Sequence, residues 1–194
     1  KFRVTSFYSL EDMANDINDL TIKLNISNYH VIGVSMGGMI AQLLAIKHTY
    51  KINSLISIMS TTGDPSLPKP RWKIVKFILS GSKQKDISNA SSFYIKLWRL
   101  IGSPAYPRTH EEISLFVDRI LSGGVSKRGT IRQMLAIMSS YDRSVALEKI
   151  KTPTLVIHGT EDLLVPYECG IDTANSIKNS KLWKRIWTSS PPRI

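Results

Sequence analysis

Residues 33 to 37 have the types and spacing of a nucleophilic catalytic site. The stretch reads Gly-Val-Ser-Met-Gly and fits the pattern Gly-x-Ser-x-Gly. In that pattern the serine lies in a sharp turn between a strand and a helix, so its hydroxyl projects away from the sheet. We therefore predict that Ser35 is a nucleophile and that the backbone N–H of Met36 helps to stabilise an oxyanion. The alternative for Ser35 is a serine in an ordinary turn.

The flanking segments favour this interpretation of the motif. Residues 29 to 34 are apolar and rich in β-branched side chains, which predicts a short buried strand, and residues 36 to 48 have the apolar period of a helix. Side chains at Gly33 or Gly37 are expected to collide where strand and helix pass closely, and Gly38 is expected to widen that clearance.

The rest of the chain alternates strands with helices. A capping box at residues 9 to 12 opens a helix before the motif, and another at residues 109 to 112 opens one in a long helical region from 71 to 147. Two further buried strands are predicted, at residues 52 to 59 and 154 to 158. Strand, helix, strand, long helical insertion and strand again predict a parallel α/β sheet with the insertion over one end of it.

Composition narrows the classes of function. The chain has 194 residues, of which 42% are hydrophobic, and its apolar runs are too short to span a membrane. The net charge of +11 raises nucleic-acid binding, but the lysines are scattered and no nucleic-acid motif is present. We expect no nucleic-acid and no membrane partner. The lone Cys169 suits a reducing compartment, so a cytoplasmic location is expected; the start of the chain looks internal, so any targeting segment is expected to have been lost.

Four segments together resemble the α/β-hydrolase superfamily, specifically its small-molecule esterase branch of antibiotic methylesterases and proline-iminopeptidase relatives. They are residues 8 to 14, 30 to 42, 102 to 107 and 153 to 166. The resemblance implies a partial α/β-hydrolase fold, with a short parallel sheet flanked by helices and a helical cap insertion. It divides the chain into core at 1–63, cap at 64–147 and core again at 148–194, with an aberrant tail from about residue 183.

The same resemblance assigns the catalytic acid. Asp162 matches the acid in the family's Gly-x-x-Asp-x-x-Val-Pro turn, where a carboxylate at the end of a strand orients a histidine that removes the serine proton. Glu161 is the rival acid, and an Asp162 that merely caps the next helix is the structural alternative. The cap would supply apolar walls for a bulky ester, although packing between helices is the simpler explanation for most of its aromatic residues, Trp72, Phe77, Phe93, Tyr94, Trp98 and Tyr106.

The catalytic histidine is missing from its expected place. In the family the histidine follows the acid, whereas this chain has histidines only at positions 30, 48, 110 and 158, all before Asp162. All four are expected to be structural; His110, in the first turn of a cap helix, is the one that would approach the cleft in an unusual arrangement. No metal-ligand spacing is present, and acyl-serine chemistry requires no cofactor.

The chain also differs from the family pattern at both of its ends. The chain starts after the His-Gly loop that gives the second oxyanion amide, which predicts an open, apolar sheet edge at residues 29 to 34 that invites pairing with another chain. At the other end, residues 185 to 191 can encode Gly-Phe-Gly-His-His-Leu in another reading frame, which resembles the family's histidine motif. A frameshift is therefore hypothesised, and a divergent basic tail is the alternative.

These observations give three expectations for function. The first is a serine hydrolase that cleaves a small apolar ester through an acyl-serine intermediate, in a fragment with little or no turnover. The second is a non-catalytic module that binds a ligand or a partner, and the third is a decayed gene product.

Overall fold

A computed structural model describes residues 6–81, 87–124 and 126–185. The elements, in chain order, are α1 (Leu10–Lys23), β1 (Tyr29–Val34), α2 (Met36–Lys47), a 3-10 turn (Thr49–Lys51), β2 (Ile52–Ile58), α3 (Trp72–Gly81), α4 (Ile87–Leu100), α5 (His110–Ser122), α6 (Lys127–Ser139), α7 (Ser144–Leu147), β3 (Thr154–Gly159), α8 (Tyr167–Ser176) and β4 (Lys181–Arg185). None of the helices in these ranges is both long and apolar enough to cross a bilayer.

The predicted parallel α/β sheet is confirmed. Its four strands lie in the order β1, β2, β3, β4, and every neighbouring pair is parallel. Both predicted capping boxes are present: the Ser9 side chain accepts the Asp12 N–H, and Thr109 accepts that of Glu112. Since β4 ends at Arg185, the sheet includes the first residues of the segment set apart as an aberrant tail. The codons that the frameshift hypothesis re-reads run from residue 185 to 191, and residues 186 to 191 lie outside the described residues.

One face of the sheet is covered by helices. Leu55 of β2 packs with Ala41 and Ala45 of α2, and with residues of the α7 region, in one apolar cluster. The register places Val31 and Leu55 on the same face, and β3 turns His158 of that face toward α8. This face therefore holds the core between the sheet and helices α1, α2, α7 and α8.

The opposite face is apolar but largely open on β1. Ile32 is 64% exposed and Val34 is 47% exposed. Within the described part of the chain, β1 also has a neighbouring strand on one side only. The open apolar edge expected from the sequence is therefore found, while its pairing with another chain stays a prediction.

The long helical insertion is attached to the core at its C-terminal end. Ala136 of α6 belongs to the same apolar cluster as Leu10 and Ala14 of α1 and Leu43 of α2. The chain then returns to the sheet through Arg143, whose N–H donates to the Thr62 carbonyl just after β2. These contacts fix the insertion to the same end of the sheet as the loop that follows β2.

Candidate active site

The nucleophile corner is held by hydrogen bonds to the main chain of Ser35. Its backbone lies at φ 54° and ψ −119°, a conformation that L residues rarely adopt. The Ser35 N–H donates to the Ile58 carbonyl at 2.9 Å, which ties the turn to the end of β2. The Ser35 carbonyl accepts from the Gly38 N–H and from the Ser60 hydroxyl, each at 2.9 Å. The sharp turn predicted between strand and helix is therefore present.

The glycines around Ser35 do not share one role. A Cβ on Gly33 would lie 2.1 Å from the Gly37 carbonyl oxygen, and a Cβ on Gly38 would lie 2.6 Å from the Ser60 Cβ. A Cβ on Gly37, however, would meet nothing within 4 Å. The expectation that a side chain at Gly37 would collide is wrong, because the close approach involves the Gly37 carbonyl and the Gly38 Cα rather than the Gly37 Cα.

The start of α2 provides a hydrogen-bond donor next to Ser35. Met36 is the first residue of α2, so its N–H points out of the helix end, where partial positive charge favours an anion. The Ser35 hydroxyl has no hydrogen-bond partner among the described residues, and it does not cap the helix. At this corner the Ser35 hydroxyl is therefore available to react, and the Met36 N–H beside it is available as a hydrogen-bond donor.

The acid corner is held through a side chain. Asp162 follows β3, is 7% exposed, and its Oδ1 accepts the N–H groups of Leu164 and Val165, both at 2.8 Å. Two amide donors on one carboxylate oxygen fix the plane of the carboxylate. Glu161 is exposed. Of the two acids weighed from the sequence, only Asp162 is therefore buried and immobilised.

His158 is buried beside Asp162 and stabilises the turn that contains it. It is fully buried at the end of β3; its Nε2 lies 2.9 Å from the Val165 carbonyl and 3.8 Å from Asp162 Oδ2. Its other ring nitrogen faces Gly170 of α8, where an added Cβ would come within 2.4 Å. Burial lowers the pKa of His158, against the opposing effects of the Val165 carbonyl and of the Asp162 and Glu168 carboxylates. A neutral His158 imidazole that donates to the Val165 carbonyl stabilises the turn between β3 and α8 and remains buried.

The two corners face the same end of the sheet. Ser35 follows β1 and Asp162 follows β3, with β2 between them. Two interstrand spacings amount to about 10 Å, a gap that an imidazole hydrogen-bonded to both side chains would bridge. In the described ranges no group of three or more His, Cys, Asp or Glu side chains is placed to hold a metal ion.

None of the four histidines lies between the two corners. His30 is at the start of β1, where it is exposed and 2.7 Å from the Ser54 hydroxyl. His48 ends α2, and burial lowers its pKa. His110 begins α5 in the cap and its Nδ1 is 2.9 Å from Arg99. The expected structural roles agree with these positions.

The structure adds two buried polar residues that the sequence patterns did not single out. Ser60 bonds the Ser35 carbonyl, as described above, and only its position just after a strand hinted at a role. Arg143 is fully buried; its guanidinium donates to the Gln42 side chain and to the carbonyls of Tyr141 and Thr61. Burial lowers the pKa of Arg143 to about 10, so the side chain remains charged at neutral pH. Arg143 thus links α2, the loop after β2 and the end of the helical insertion.

Three of the six aromatic residues considered in the helical insertion pack helix against helix. Phe77 of α3 stacks on Phe93 of α4 with ring centroids 5.0 Å apart, and Trp98 of α4 meets Phe116 of α5 edge to face at 4.8 Å. Trp72 is 71% exposed and Tyr106 is 40% exposed. The simpler explanation, packing between helices, therefore holds for Phe77, Phe93 and Trp98.

Comparison with protein families gives one match over nearly the whole chain. The family model described as "alpha/beta hydrolase fold" matches residues 3–186 of the chain. The chain is 29% identical over 168 residues to the inferred carbamate hydrolase RutD of Yersinia enterocolitica, covering 86% of this chain and 58% of that protein. It is 25% identical to a 2-hydroxy-6-oxononadienedioate/2-hydroxy-6-oxononatrienedioate hydrolase of Cupriavidus pinatubonensis, covering 82% of this chain and 55% of that protein. The chain thus spans little more than half the length of these relatives.

Solved structures agree on the fold. The esterase EaEST of Exiguobacterium antarcticum superimposes with a TM-score of 0.73 at 23% identity, covering 94% of this chain and 67% of that one. The enol-lactonase of Burkholderia xenovorans LB400 gives a TM-score of 0.71 at 20% identity, covering 93% and 65%. At these identities the likeness concerns the fold alone.

Proposed function

The chain belongs to the α/β-hydrolase fold family, and from that premise we propose that Ser35 and Asp162 are two members of a serine-hydrolase triad for ester cleavage. The observation that carries the proposal is the Ser35 backbone at φ 54°, held between β1 and α2 at the same end of the sheet as the buried Asp162. A serine gains nothing structurally from that conformation, whereas a nucleophile gains exposure of its hydroxyl.

The proposed reaction proceeds through an acyl-serine. The Ser35 Oγ attacks the ester carbonyl carbon while its proton passes to a histidine, and the Met36 N–H holds the oxyanion that forms. Collapse of the tetrahedral intermediate breaks the ester C–O bond, and the alcohol leaves with the proton. Water then releases the acid by the same steps. The proposed substrate is a small apolar ester, in keeping with the esterase branch that the sequence resembles.

We also propose that this chain turns over little substrate. In the proposed triad Asp162 orients an imidazole. The sequence has no histidine after Asp162, however, and none of its four histidines lies between Ser35 and Asp162. Without a base the serine remains a weak nucleophile, and catalysis falls to what binding and the oxyanion donor supply. The cytoplasmic location is likewise a proposal, supported by the buried, unpaired Cys169.

Ester hydrolysis with and without added imidazole tests both parts. We expect the chain to hydrolyse p-nitrophenyl acetate barely above the rate with Ser35→Ala. Imidazole in solution should then replace the missing base and accelerate wild type more than Ser35→Ala, which measures the background reaction of imidazole with the ester. Asp162→Asn should leave the unassisted rate unchanged, since no histidine is there to orient.

The assay distinguishes the proposed low activity of the chain from the proposed role of Ser35. Turnover without imidazole that disappears in Ser35→Ala would overturn the proposal that the chain is nearly inactive. Equal acceleration by imidazole in wild type and Ser35→Ala would overturn the assignment of Ser35. Retained circular dichroism in each variant shows that the fold is intact.

A further inference from the structure

The cap contains a cavity that is separate from the two catalytic corners. It has a volume of about 270 Å³ and opens between the end of α4 and the start of α5, beside the loop that joins them. Neither Ser35 nor Asp162 is among its lining residues. A ligand bound there would therefore be held by cap residues alone.

The apolar side of the cavity is formed by side chains that pack against one another. Trp98 and Phe116 form its aromatic walls, and they fix one another in the edge-to-face contact across α4 and α5. Ile113, which is 5% exposed, closes it from the α5 side. Side chains that are already packed lose little freedom when a ligand arrives, so these walls favour binding of a flat or compact apolar body.

The polar side of the cavity is positively charged. Arg99 and Arg108 both line it, and no carboxylate does. A guanidinium can only donate, so the 2.9 Å contact of Arg99 Nη2 with His110 Nδ1 makes that ring nitrogen an acceptor and leaves the other Arg99 N–H groups for further contacts. The Arg108 guanidinium carbon lies 5.8 Å from the centre of the Phe116 ring, within range of a cation–π interaction. Both charges are thus positioned by neighbours.

We propose that this cavity binds a small organic carboxylate with an aromatic or alicyclic body. Arginine presents planar paired donors that match a carboxylate, and the aromatic walls remove the body from water. The volume lies just below the usual range of about 300–1,000 Å³ for ligand pockets, which favours a compact ligand. Because the site is built wholly from the cap, binding is independent of the hydrolase chemistry proposed for Ser35.

Calorimetric titration of the full chain with a matched pair of probes tests the proposal. The probes are naphthalene-2-carboxylate and naphthalene-2-carboxamide, which share a body and differ in charge. We expect the carboxylate to bind about tenfold or more tightly than the amide. Arg99→Gln and Arg108→Gln should each lower carboxylate affinity toward that of the amide while leaving amide affinity unchanged, which shows that the cavity is intact.

Two controls separate the site from general attraction to a basic protein. Arg132→Gln removes an exposed charge from α6, outside the cavity, and should leave carboxylate affinity at the wild-type value. Ser35→Ala should also bind normally. Equal affinity for carboxylate and amide, equal losses in the Arg132 and Arg99 variants, or no heat at millimolar ligand would each overturn the proposal.

Discussion

The two corners of the candidate site are stabilised in different ways. At Ser35 the main chain carries the geometry: the residue lies at φ 54°, strand and helix approach closely at Gly33, the Ser35 N–H donates to the Ile58 carbonyl of β2, and the Ser35 carbonyl accepts from the Ser60 hydroxyl. At Asp162 side chains carry it: a carboxylate on two amides, with the buried His158 beneath.

The strands beneath the corners differ in the same sense. β3 is an inner strand and is buried along most of its length, whereas β1 is at the edge of the described sheet with one face open. A corner built from backbone geometry tolerates an exposed strand, because its hydrogen bonds hold main-chain groups of Ser35 and do not depend on the side chains that face solvent. A corner built from packed side chains needs covered surroundings. The geometry at Ser35 and the geometry at Asp162 should therefore respond to different mutations.

The largest effect is expected from Gly33→Ala, at the backbone-built corner. The new methyl would overlap the Gly37 carbonyl, and neither backbone segment can move without opening the contact between β1 and α2. We expect a loss of about 4 kcal/mol or more in the free energy of unfolding, or failure to fold. The matched control is Gly37→Ala, which has open space and gains helix propensity. Urea denaturation of both variants makes the comparison, and equal stabilities would contradict it.

The next largest effect compares one side-chain type on the two strands. Ile157 of β3 and Ile32 of β1 lie on the same face of the sheet, but Ile157 is 9% exposed and Ile32 is 64% exposed. Ile157→Ala should cost about 2–4 kcal/mol, since it empties a packed position, and Ile32→Ala less than about 1 kcal/mol. Thermal unfolding measures both. A large cost at Ile32 would mean that the open face is covered in solution.

The acid corner should add a pH dependence that the nucleophile corner lacks. Burial holds the folded-state pKa of His158 below its unfolded value of about 6.5, so the unfolded chain binds more protons there. Stability is complete above that pH and falls as pH drops through 6.5 toward the folded pKa, by up to about 1.4 kcal/mol per unit for one proton. His48 acts in the same direction.

His158→Gln should flatten this pH dependence between neutrality and the range where carboxylates begin to titrate. His30→Gln, which removes an exposed imidazole, is the matched control. Chemical denaturation at a series of pH values gives the slopes. An unchanged slope in His158→Gln would show that the acid corner does not depend on a buried neutral histidine.

The smallest effect tests backbone strain at Ser35. Ser35→Gly should stabilise the fold by about 1 kcal/mol, because glycine adopts the observed φ and ψ freely, after allowance for its larger entropy in the unfolded chain. Ser35→Ala keeps a Cβ in the same conformation and should change stability by less than about 0.5 kcal/mol. If both variants have the same melting temperature, the corner is not strained.

Much of the fold was predictable from local signals. The strand at Tyr29–Val34, both capping boxes and the alternation of strands with helices follow from periodicity and from short-range hydrogen bonding, so the sequence alone places them. The role of Gly37 was predicted wrongly, because which atom of a turn approaches a helix depends on the relative position of two elements rather than on the motif.

The roles of His158, Ser60 and Arg143 lie beyond what sequence patterns carry. Arg143 and Ser60 act through contacts with residues far along the chain, Gln42 and Ser35 respectively, and His158 acts through its burial beneath α8 and the turn after β3. A pattern of types shows only that a polar residue is present. Whether that residue is solvated or buried with partners depends on which elements pack around it.

The sequence by itself determined the family, the parallel sheet, the Ser35 turn and the absence of a histidine after Asp162, because these depend on residue order and local geometry. Only the tertiary structure decided that Asp162 rather than Glu161 is buried, that His158 is buried beside Asp162, and that the helical insertion has a cavity lined by two arginines. Burial and charge arise from the packing of distant segments, so local residue order cannot specify them.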